Sequence, residues 1–177
     1  MNPMIRILIV LLPLCSLIGC SKPNAEEMYK KGESAQRDEN YDGALEAYRE
    51  LIGTYPDSTR TPEAYYAAGV IYQNYKHNNR AALNTYRDLA EKFPHHPVAS
   101  NAAFLLAFIY ENDFHQLDSA KAAFEYFLNT YPNDALSSSA RLELSNLGKD
   151  PDQILTQKQQ HSDDGKLRPQ KNNRKKS

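Results

Sequence analysis

The sequence has no tryptophan and only two cysteines and seven glycines in 177 residues. Each shortage narrows what the chain can be. Both cysteines, Cys15 and Cys20, fall within the first twenty residues, so no disulfide can form within the rest. With no tryptophan, 12 tyrosines are the main aromatic filler for a core. No apolar run reaches the roughly 20 residues of a comfortable transmembrane helix. The longest starts at Ile7, is interrupted by Pro13 and ends at Ile18. No HExxH, GxSxG, phosphate loop or glycine-rich dinucleotide turn occurs. His77, His95, His96, His115 and His161 lack metal-ligand spacing, and Asp113 with His115 makes a pair too small to hold a metal. The residues therefore predict no catalytic centre, no metal and no cofactor.

Charge is also scarce in sum but not in distribution. The net charge is −1, which points to neither nucleic acid nor membrane. Yet residues 20–165 hold 14 Lys and Arg against 22 Asp and Glu, a net of −8. Lys166, Arg168, Lys171, Arg174, Lys175 and Lys176 put six cations and no acid into the last twelve residues. An acidic body thus carries a basic tail. A tail so poor in apolar residues cannot offset its ordering entropy, and 148–177 is expected to be disordered. It could still meet an anionic surface, such as lipid headgroups.

What the chain does contain is a repeat. Ala44, Ala82 and Ala120 are 38 residues apart, as are Tyr48, Tyr86 and Phe124, and as are Pro56, Pro94 and Pro132. A fixed period of 20–50 residues marks stacked units that cannot bury their apolar faces alone. Ahead of each recurring stretch lies a second helical pattern: Met28, Tyr29, Gly32 and Ala35; Tyr65, Tyr66, Gly69 and Tyr72; Ala103, Phe104, Ala107 and Tyr110. Glycine inside a helix costs about 1 kcal/mol relative to alanine. Its recurrence at Gly32 and Gly69 therefore predicts a neighbouring helix packed close against it. Asp42 and Asp118 are the expected N-caps of second helices, and Pro62 and Pro97 suit first turns. Residues 140–147 begin a fourth unit in which Ala, Leu and Ala become Arg141, Glu143 and Ser145. This is the polar face expected of a terminal capping helix, ended by Gly148 and Pro151.

The first nineteen residues read as a targeting segment, with Arg6 ahead of the apolar run. Leu17-Ile18-Gly19-Cys20 resembles the lipobox of bacterial lipoproteins. That resemblance implies cleavage before Cys20, lipidation of its sulfur and amino group, and a tether over 20–24. Ser21 favours the outer membrane by the same likeness, and export argues against nucleic acid. The repeats resemble the tetratricopeptide repeat (TPR), lengthened from its 34-residue period. Small residues (Gly32, Gly69, Ala107), the Ala/aromatic pairs of the second helices and the closing prolines carry the likeness. Lengthened repeats behind a lipobox resemble the BamD/YfiO envelope lipoproteins, and also the TPR domain of the YbgF/CpoB proteins. The implied fold is all-α: a short α-solenoid of three TPR-like helix pairs plus a C-terminal capping helix over 25–147.

By the family pattern, the first helix of each pair lines the inner face. That face would present Tyr29, Glu33, Gln36 and Arg37; Tyr66, Val70, Gln73 and Asn74; and Phe104, Phe108, Glu111 and Asn112, with Glu26, Glu63 and Asn101 beside them. Aromatic anchors within a polar rim suit another protein's peptide. Only Arg37 is basic there, which disfavours the subtype that clamps a C-terminal carboxylate. The implied function is a lipid-anchored, non-enzymatic adaptor on the periplasmic side of the outer membrane, assisting outer-membrane protein assembly. The alternatives are a YbgF/CpoB-like helper in division or envelope maintenance, and a structural lipoprotein linking the wall.

Overall fold

A computed structural model of the protein describes residues 22–150. The expected signal segment, Cys20 and the tail beyond Asp150 lie outside the described residues. Regular structure among the described residues is entirely helical: α1 (Ala25–Arg37), α2 (Tyr41–Thr54), α3 (Thr61–Asn74), α4 (Asn79–Lys92), α5 (Pro97–Asn112), α6 (Leu117–Thr130) and α7 (Ser137–Asn146). The fold is therefore all-α, built of TPR-like helix pairs. It divides into two compact units, one up to residue 61 and one from residue 62.

In the first unit, α1 opens with a reciprocal capping box. The Asn24 side chain accepts from the Glu27 N–H, and the Glu27 carboxylate accepts from the Asn24 N–H; together they satisfy two orphan helix donors. α2 is capped by Asn40, whose Oδ1 accepts from the Gly43 N–H at 3.0 Å. This corrects the expectation for Asp42. The helix starts at Tyr41, so Asp42 sits inside the first turn, where its charge suits the helix dipole. Met28 and Gly32 of α1 are buried, as are Ala44, Leu45, Ala47, Tyr48 and Leu51 of α2. A Cβ on Gly32 would stand 2.8 Å from Tyr48 Cδ1, which is the close approach that the glycine predicts. The Glu26 carboxylate takes both Arg60 and Lys30, and the Arg60 bond is the first cause of its lowered pKa.

The second unit repeats the pattern. Asn78 caps α4 through the Ala81 N–H at 3.1 Å. Gln116, at the same place before α6, makes no side-chain cap bond, and Asp118 lies in the first turn, again not at the cap. Ala82, Tyr86, Leu89, Ala120, Phe124 and Phe127 are fully buried. Phe104 of α5 sets its ring edge-on against Phe124 and Phe127, each at 5.8 Å.

The second helices end at Tyr55, Phe93 and Tyr131, whose N–H groups bond Leu51, Leu89 and Phe127 carbonyls before the prolines. Each connection from first to second helix passes through a left-handed residue: Glu39 (φ 57°), His77 (φ 48°) and His115 (φ 51°).

α7 starts at Ser137, three residues ahead of the start expected for the capping helix, and the Ser137 hydroxyl donates to the Tyr131 carbonyl at 2.8 Å. Gly148 (φ 74°) follows its end. Leu142 occupies the place of Phe104 one repeat later. No second helix follows α7 among the described residues, and Leu142 is 50 % exposed.

Candidate partner-binding face

The expected inner-face residues lie on the first helices α1, α3 and α5, and packing decides how much of each remains available. In the first unit Tyr29 is half-buried, its ring 5.7 Å from Tyr48, with the Arg60 guanidinium 5.0 Å above it. Glu33 and Gln36 are half-buried and Arg37 is exposed in the last turn. In the second unit Tyr66 lies 6.2 Å from Tyr86. Val70 and Gln73 are half-buried and Asn74 is exposed. On α5, Phe104 is half-buried against the phenylalanine cluster and Phe108 is 38 % exposed. The Asn112 side chain donates back to the Phe108 carbonyl at 3.1 Å.

The aromatic rings are only partly covered. One side of each packs on the second helix of its own pair, so Tyr29, Tyr66 and Phe104 belong partly to the core. Gln36 and Gln73 are committed inward as well. Tyr48 donates its hydroxyl to Gln36 Oε1 at 3.3 Å, and Tyr86 donates to Gln73 Oε1 at 3.2 Å. Burial pushes both hydroxyls well above the ordinary phenol range. These two pairs recur in the sequence, and that co-occurrence of Gln and Tyr is the signal that could have found them.

The third repeat breaks this arrangement. Glu111 stands where the glutamines stood and Phe124 where the tyrosines stood, so the ring has no hydroxyl to donate. Glu111 Oε2 is covered and accepts no hydrogen bond among the described residues. Burial first, and Glu143 of α7 second, push its carboxyl above the usual carboxylate range.

Other features escaped the sequence. A cleft of about 550 Å³ opens in the second unit between the loops that follow α4 and α6, lined by Pro94, His95, Pro97, Tyr131 and Asp134 among others. Tyr131 donates to the Pro94 carbonyl at 2.9 Å, and burial pushes its hydroxyl up to about 12. His96 is the N-cap of α5, its Nδ1 accepting from the Val98 N–H at 3.4 Å. Lys92 bridges Asp88 (2.9 Å) and Tyr65 (3.1 Å), and these bonds raise its pKa. Among the described residues no group of His, Cys, Asp and Glu is placed to hold a metal, and no helix is long and apolar enough to cross a membrane.

A family model described as YfiO, outer membrane lipoprotein, matches residues 21–150, a span that takes in the seven helices of the described residues. No curated protein sequence matches the chain.

Proposed function

The chain belongs to the YfiO outer membrane lipoprotein family, and from that premise we propose a lipid-anchored adaptor that receives another envelope protein and catalyses no reaction. Cys20 carries the lipid, and the helical units stand on the periplasmic side. Two or more acyl chains at about 0.8 kcal/mol per buried CH₂ make such an anchor stable where one would be marginal. The partner meets the first helices of the repeats, and its most specific role is in outer-membrane protein assembly.

The observation that carries this reading is on α5. Phe108 stays 38 % exposed near a covered carboxylate oxygen of Glu111 that accepts no hydrogen bond among the described residues, whereas the Gln36–Tyr48 and Gln73–Tyr86 pairs close on themselves. A large apolar side chain beside an unsatisfied acceptor is what a partner-facing surface offers.

Two experiments test the reading. Cys20→Ala should leave an unprocessed precursor or a protein released to the soluble fraction. Unchanged palmitate labelling of that variant would remove the anchor from the account. Crosslinking in intact membranes, followed by capture of the protein, should bring down a component of β-barrel assembly. Recovery of wall fragments alone, lost on deletion of 166–177, would favour a wall-linking role instead.

A further inference from the structure

Superposing the three repeats by sequence isolates one place where two residues change together. Gln36 bonds Tyr48 and Gln73 bonds Tyr86, and the equivalent positions in the third repeat are Glu111 and Phe124. In the first two repeats a neutral amide accepts the phenol hydroxyl, and the contact is closed. In the third the donor is gone and the acceptor has gained a negative charge. Either change alone would leave a mismatched remnant of the same contact; both together leave a part-buried carboxyl with nothing inside the repeat to bind. No cation among the described residues offsets it: the influences on its carboxyl are burial and the like charge of Glu143. One helical turn back on α5, Phe108 is exposed, and residues three apart on a helix share a face.

We propose that the third repeat selects partner segments in which a lysine or arginine accompanies a large apolar side chain, the cation meeting Glu111 and Glu143 and the apolar group covering Phe108. This rests on the reading of the first-helix face as the partner surface and names the chemistry it takes. Charge complementarity argues for such an occupant. Two neighbouring carboxylates repel each other until a cation arrives, and an incoming ammonium or guanidinium supplies the donor that Phe124 lacks. An anionic or purely apolar segment would leave Glu111 covered and unsatisfied, which is costly. Selection by charge follows, while Phe108 contributes to any apolar segment.

The test uses the full-length protein in detergent micelles at pH 7 and two fluorescein-labelled 14-residue amphipathic peptides. The peptides are identical except that one carries lysine and the other norleucine beside a leucine. Anisotropy should show the lysine peptide binding about tenfold tighter. Glu111→Gln should lower it to the norleucine level, and Phe108→Ala should weaken both. Glu111→Gln combined with Phe124→Tyr rebuilds the closed pair of the first two repeats. It should fold as they do, with an unchanged helical signal, and should lose the selection.

Equal binding of both peptides, with both weakened by Phe108→Ala, overturns the cation assignment and leaves the face as the partner surface. Insensitivity of both peptides to Phe108→Ala, or no binding of the lysine peptide, removes the face as well. If deleting 166–177 tightens the lysine peptide about tenfold, the chain's own basic tail is the occupant, and the assignment to a partner is overturned.

Discussion

Adding one methyl group at Gly69 tests the account of the helix pairs. A Cβ there would sit 2.8 Å from Tyr86 Cδ1 and 2.9 Å from Cζ, well inside van der Waals contact. The ring cannot simply slide aside, because its hydroxyl is tied to Gln73 at 3.2 Å and the side chain is fully buried. Alanine gains about 1 kcal/mol over glycine in a helix interior, whereas overpacking a tight core costs about 1–3 kcal/mol. Gly69→Ala should therefore destabilise by about 1 kcal/mol net. In the third repeat the same position is Ala107, fully buried, and it faces Phe124, which has no hydroxyl to hold it. Removing the tether should then relieve the clash. Tyr86→Phe alone loses one hydrogen bond, about 1 kcal/mol. The double variant Gly69→Ala with Tyr86→Phe should come within about 1 kcal/mol of wild type, a coupling of at least about 1 kcal/mol. Urea unfolding of all four proteins, followed by circular dichroism, closes the cycle. Additive losses, or a Gly69→Ala variant more stable than wild type, would refute the claim that the tethered ring dictates the glycine.

Gln116 occupies the place of Asn40 and Asn78 without making their cap bond, so Gln116→Asn should add about 1 kcal/mol, read as a higher urea midpoint. Ser137→Ala removes the hydroxyl bond that ties α7 to Tyr131. It should cost about 1 kcal/mol and speed hydrogen exchange in α7 before α4 is affected. Glu111 has a folded pKa raised above its ordinary 4.5 by burial and by Glu143, so the folded state holds its proton more tightly. Its contribution to stability is full below that value and is lost as pH rises through the folded pKa. Glu111→Gln should thus melt higher than wild type at pH 7 and converge with it near pH 4; a constant offset across that range would contradict the burial argument.

The helix pairs were legible because their constraints recur. Ala44, Ala82 and Ala120 are all fully buried, as are Tyr86 and Phe124, with Tyr48 nearly so, and three prolines mark the same exit. Gly32 announced a close contact by its cost alone. The caps were harder to read. Asn40 and Asp42 both favour helix starts and lie two residues apart, so composition could not choose between them; backbone geometry put the start at Tyr41. The left-handed turn residues carried no signal, since Glu39, His77 and His115 stand where a glycine would have advertised the conformation. The face was only half legible. A family pattern puts Gln36 and Gln73 on the open side of the first helix, but that pattern has no information about which neighbour their amides choose.

That choice also bears on how the third repeat is interpreted. Three copies of one hairpin face nearly the same packing problem, so the first two act as internal controls for the third. Where all three agree, as at the buried alanines and the closing prolines, stability is sufficient explanation. At the Gln/Tyr position the first two agree and the third differs at both partners, and the difference leaves a covered oxygen without a donor among the described residues. Stability does not account for that, because the glutamine–tyrosine solution is present twice in the same chain and gives each tyrosine hydroxyl an acceptor. An unsatisfied acceptor persists when something outside the fold gains from it. The exposed Phe108 ring one turn away on the same helix is why the proposal of a cation-bearing partner segment is centred on α5.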